Sequence, residues 1–182
     1  MKKIFFVLLC LAVILSACSL PTLSPPPSTP VTNQPPFTPR YEDCGWQWAQ
    51  KALPELSKNF QASIQVLQSQ AQATAYAYGE NCMLADGSVG RFSAMETDFN
   101  ITLPISDLTN ESDLGGWIVD VMQVIENIPK EKIEGPQPGR VTITFQSGSN
   151  QKTVNFYTNQ YQGLPRGLSN SEIFQKLQIP RN

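Results

Sequence analysis

Histidine is absent from all 182 residues. That absence removes the side chain that titrates nearest neutral pH, the commonest metal ligand and the commonest general base. Ser-His-Asp and Cys-His nucleophilic sites, HExxH zinc sites and two-His iron sites are thereby excluded. Charge is scarce as well: 13 Lys or Arg face 15 Asp or Glu, 15% of the chain, for a net −2. Such a balance gives no electrostatic attraction to nucleic acid. No phosphate-binding glycine loop is present, and Gly115-Gly116 falls at the start of a helical pattern, where close backbone packing explains it. No metal or cofactor is expected.

The N-terminus carries the strongest signal. Lys2 and Lys3 are followed by Ile4 to Ala17, where 13 of 14 residues are apolar. That run is too short to span about 30 Å of hydrocarbon as a helix. A basic start, a short apolar core and small residues at its end form a secretory signal peptide. The end reads Leu15-Ser16-Ala17-Cys18, which resembles the lipobox of bacterial lipoprotein precursors. The resemblance covers residues 1–18 alone. It implies cleavage before Cys18, lipidation of Cys18 through its sulfur, and attachment to a bacterial membrane with the rest of the chain extracytoplasmic, in the periplasm or at the cell surface. Cys10 would leave with the signal peptide.

Residues 18–40 hold eight Pro and seven Ser or Thr, with no Gly. Such a segment buries no core and is expected to form a semi-rigid tether, reaching roughly 70 Å at about 3.1 Å per residue. Residues 41–182 then form one domain, with ten Lys or Arg against 15 Asp or Glu and a net charge of −5.

Within that domain, Ala49, Leu53, Leu56, Phe60, Ile64 and Leu67 recur at helical spacing. Pro54 either kinks this helix near Gln50 or opens a second one at its first turn. From Ala71 the period becomes two, predicting a strand with Ala71, Ala73, Ala75 and Ala77 on one face and Gln72, Thr74, Tyr76, Tyr78 and Glu80 on the other. Asp86-Gly87-Ser88 supplies a turn, preferred to a fragment of a calcium loop because further acidic ligands are missing. A second strand runs from Arg91 to about Ile105. Thr109 or Asn110 caps an apolar helix through Leu114, Ile118, Val121, Met122 and Ile125. Val141, Ile143 and Phe145 alternate with Arg140, Thr142 and Thr144, and a fourth strand carries Val154 and Phe156. Ser169-Asn-Ser-Glu172 forms a capping box before a last short helix. The expectation is an α+β domain: an antiparallel sheet of about four strands in two hairpins, helices on one face, in the order α-ββ-α-ββ-α.

Cys44 and Cys82 are the thiols left to the domain, and an extracytoplasmic setting favours their disulfide. Trp46 and Trp48 beside Cys44 are read as packing. Thr74, Tyr76, Tyr78 and Glu80 form an aromatic and polar row suited to binding a protein or glycan partner. Tyr157 and Tyr161 lie near the fourth strand, with nothing to join them to that row. Glu96 and Asp98 share a strand face, the residue types of a glycoside hydrolase, but occupy a polar phase where a solvated face is expected. The reading is therefore a membrane-anchored lipoprotein with a small non-catalytic binding or structural domain. A small carboxylate-dependent cell-envelope hydrolase is the alternative.

Overall fold

The computed structural model describes residues 44–178. The apolar run to Ala17, Cys18 and the proline-rich segment to Arg40 lie outside the described residues, as do 41–43 and 179–182. The chain order is β1 (Gly45–Ala52), α1 (Pro54–Leu67), β2 (Gln72–Met83), β3 (Val89–Pro104), α2 (Glu111–Glu126), a 3-10 turn (Lys130–Lys132), β4 (Arg140–Ser147), β5 (Asn150–Tyr157), α3 (Thr158–Gln162) and α4 (Asn170–Gln178). The fold is α+β, with one mixed five-stranded sheet in the spatial order β1-β2-β3-β4-β5. Among the described residues no helix is long and apolar enough to cross a membrane.

Three expectations are corrected. The first helical pattern does not reach back to Ala49, because Gly45–Ala52 is an exposed edge strand paired antiparallel with β2. Pro54 is the first residue of α1, where its missing N–H and fixed φ suit a helix start. Trp46, Trp48 and Gln50 alternate with Gln47, Ala49 and Lys51, a period-two pattern that the downstream helical spacing masked. Second, the sheet is not wholly antiparallel. Both hairpins form, but β3 pairs with β4 in parallel across α2, and a parallel pair requires such a long crossover. Third, an extra one-and-a-half-turn helix, α3, follows β5, held by Gln160, whose side chain accepts from the Tyr157 N–H at 2.7 Å.

The helices cover one face of the sheet. Phe60 and Ile64 of α1 press on Ala73, Ala75 and Phe99; Leu114, Ile118, Val121 and Met122 of α2 join Ile101, Val141, Ile143 and Phe145; Phe174 of α4 closes the β5 side. The alanine face of β2 lets α1 approach closely, and Ser57 fixes its height by donating to the Ala75 carbonyl at 2.8 Å. The capping expectations hold. Asn110 accepts from the Asp113 N–H at 3.3 Å, and Ser169 and Glu172 exchange hydrogen bonds at 2.7 to 3.3 Å. Asp86 accepts from the Ser88 N–H at 2.9 Å, so that segment is a turn.

β1 pairs with Tyr76–Met83 of β2, whereas β4 pairs with Phe99–Pro104 of β3. The sheet therefore consists of two offset halves, β1-β2-β3 at one end and β2-β3-β4-β5 at the other. They overlap at one row, Ala52-Tyr76-Asp98-Arg140-Tyr157.

Candidate functional site

The face opposite the helices has no helix over it among the described residues. Thr74, Tyr76, Tyr78 and Glu80 all lie on it, as their alternation required. Tyr157 joins them through the row that crosses all five strands. Tyr161 does not; it sits on α3 against the core.

Trp46 and Trp48 belong to the same face and are not packing residues. Their side chains are 45% and 57% exposed, and β1 carries them beside Cys82 and Glu80. The Trp48 ring stacks parallel on Tyr78, centroids 5.3 Å apart and planes 2° from parallel. The Arg91 guanidinium lies 5.3 Å from the Trp46 ring. The Cys44–Cys82 disulfide ties the start of β1 to the end of β2 just outside this platform.

Glu96 and Asp98 share the face, but the solvated setting expected for them is wrong: they are only 8% and 1% exposed. Two local features bury them. A bulge between Tyr78 and Gly79 makes Met95 the extra residue of β3, so Glu96 stands opposite Tyr78. The loop before β4 docks on that bulge: Gln137 N–H donates to the Met95 carbonyl at 2.9 Å, and the Thr97 hydroxyl exchanges bonds with the Glu134 backbone at 2.8 Å each. Gly139 makes the docking possible, because a Cβ there would lie 1.7 Å from the Thr97 carbonyl oxygen. The docking delivers Arg140 to Asp98, which accepts from the Arg140 N–H at 2.7 Å and from its guanidinium at 3.4 Å. The parallel ladder begins at Val141, so the Asp98 carboxylate takes the place of a strand carbonyl at its end. Tyr76 and Asp98 both favour the charged form of the Arg140 guanidinium, raising its pKa against the opposing effect of burial.

Glu96 is held protonated to higher pH than an ordinary glutamate. Burial is the main cause, followed by the negative charge of Asp98 and a hydrogen bond to it, with Arg140 opposing. A glycosidase needs two carboxyl groups flanking a solvent-open scissile bond, whereas both of these are buried. Asp98 is further occupied by Arg140. The pair is built to end a ladder and close a row.

Glu96 has a signed pH consequence. The folded state binds its proton more tightly than the unfolded chain does, so its contribution to stability is full below the unfolded value of about 4.3 and is lost as pH rises through the raised folded value. Glu96→Gln is expected to raise the melting temperature relative to wild type at pH 8, with the gap closing toward pH 4. Thermal melts over that range check it; an offset independent of pH would show that Glu96 ionises at no extra cost.

Beyond the Asp98 row the open face changes character. Thr74, Asn100, Thr142 and Asn155 form one row, and Gln72, Thr102, Thr144 and Thr153 the next. Thr142 donates to the Asn155 carbonyl oxygen at 2.8 Å, and the Thr144 and Thr153 hydroxyls meet at 3.1 Å. A shallow groove of about 220 Å³ runs over Gln72, Thr74, Asn100, Thr102, Thr142 and Thr144. Sequence reasoning found the β2 row and missed its continuation. The polar phases of β3, β4 and β5 were visible, but the parallel register that aligns them was not.

Compared with protein-family profiles, curated proteins and solved structures, the chain matches none.

Proposed function

We propose that the protein is a bacterial lipoprotein, anchored through lipidated Cys18, whose domain is a non-catalytic binding module presenting its helix-free sheet face to an extracytoplasmic partner. The observation that carries this reading is that open face, on which exposed Trp46, Trp48 and Tyr157 accompany ordered polar rows. A sheet face of this kind, aromatic at one end and shallowly grooved beyond it, suits recognition by contact. The Glu96–Asp98 pair speaks against the hydrolase alternative, since both carboxyl groups are buried and Asp98 is taken up by the Arg140 N–H and guanidinium.

The anchor is tested by feeding cells an alkyne-tagged fatty acid. The wild-type chain is expected to take up the label and fractionate with membrane, and Cys18→Ser to lose both. The binding reading is tested by incubating the purified full chain with envelope glycans and peptides. Retention without cleavage is expected. Cleavage that disappears in Glu96→Gln would replace the module with a hydrolase.

A further inference from the structure

We infer that the open face binds an uncharged oligosaccharide, laid from the Trp48–Tyr78 platform across the threonine and asparagine rows. This rests on the binding-module reading and names its ligand class.

The first observation is charge. The domain carries −5, yet neither the groove nor the concavity beside it is lined by a single charged residue. That concavity, about 740 Å³ and open to solvent, continues past Gln72 and Thr102 to Gln68, Gln70 and Gln146. The charged groups of the open face, Glu80, Arg91, Glu96, Asp98 and Arg140, stand at or beyond the overlap row on the side of the platform, with Glu80 opposite Trp48, Glu96 opposite Tyr78 and Asp98 paired with Arg140.

The second observation is hydrogen-bonding type. Every polar side chain in the groove is a hydroxyl or a carboxamide, and each of these both donates and accepts. Sugar hydroxyls do the same, whereas Lys and Arg only donate and carboxylates only accept. Gln72, Thr74, Asn100 and Thr102 make no side-chain hydrogen bond among the described residues, so their capacity is directed outward to a ligand. A protein partner would meet a different surface. Protein interfaces centre on buried apolar anchors, and these rows offer none larger than a threonine methyl.

The third observation is the platform. Stacked Trp48 and Tyr78 hold each other's rings in place at one end of the rows, ready for the C–H face of a sugar ring. From Tyr78 to Gln72 along β2 is six residues, or about 20 Å. A ligand touching both ends is therefore an oligomer of several rings.

The test uses the full chain in mild detergent, titrated calorimetrically with neutral hexasaccharides of glucose, xylose, mannose and N-acetylglucosamine, and with each monosaccharide. At least one hexasaccharide is expected to bind and its monosaccharide to show no heat. Trp48→Ala and Thr74→Lys, both at exposed positions, should each weaken it by about tenfold or more while lowering the melting temperature by no more than about 5 °C. Failure of all neutral hexasaccharides overturns the inference. If an anionic glycan or a protein binds instead and both substitutions release it, the ligand class is wrong and the binding face stands. If whatever binds ignores both substitutions, the face itself falls.

Discussion

Converting Cys44 and Cys82 together to alanine is expected to lower the melting temperature by ~10–15 °C. The bond joins residues 38 apart in sequence. Closing a loop of that length removes about 3.9 kcal/mol of unfolded-state entropy in the chain-entropy estimate. The folded side adds to this. Seven of the eight residues of β1 are exposed, and among the described residues its ladder pairs only with β2. An edge strand attached in that way relies on its hydrogen bonds and its ends. Without the disulfide, the Gly45 end frays first, and Trp46 and Trp48 leave the open face with it. Amide exchange should therefore accelerate over Gly45–Trp48 before it does over β4, and saccharide affinity should fall together with it. A melting temperature within about 3 °C of wild type would show that the β1–β2 ladder holds without the bond.

The disulfide was legible in the sequence because the setting that the lipobox resemblance implies and the cysteine number both favour it. What it joins was not. The helical spacing begins at Ala49, five residues after Cys44, and it masks the strand Gly45–Ala52 because Ala49 happens to extend the spacing of Leu53, Leu56 and Phe60. The same limit applies to the site. Alternation in Gln72–Glu80 placed Thr74, Tyr76 and Tyr78 on one face, since a strand allows nothing else. Arg140 and Tyr157 entered the row only through pairing between β3 and β4, which no local pattern encodes. Glu96 and Asp98 show why a polar phase is not the same as solvent. Alternation tells which face a side chain takes, and a bulge with a docked loop decides whether water reaches it.

Gly115→Ala is expected to destabilise the domain by about 2–3 kcal/mol, against a helix-propensity gain of roughly 1 kcal/mol that the same change would bring on an open surface. A Cβ at Gly115 would lie 1.8 Å from the Asn170 carbonyl oxygen and 2.4 Å from its carbon. Unstrained contacts between such atoms lie at about 3.5–4.0 Å, so α2 and α4 would have to separate. Neither has room to move. Ile118, Val121 and Met122 fix α2 on the sheet, and Phe174 is fully buried on α4 with its ring 6.5 Å from Phe145. Displacing α4 loosens Phe174, whose complete removal is the kind of change that costs about 3–5 kcal/mol. Gly116→Ala is the matched control. Its Cβ would meet only the Asn170 side-chain amide, at 3.1 Å, and that side chain is free to rotate away. Urea unfolding of the two variants should thus separate them, with Gly116→Ala within about 0.5 kcal/mol of wild type. Equal midpoints would mean that the helices do not touch backbone to backbone at Asn170. A lower midpoint for Gly115→Ala alone would locate the tightest contact of the helical layer at the first residue of α4.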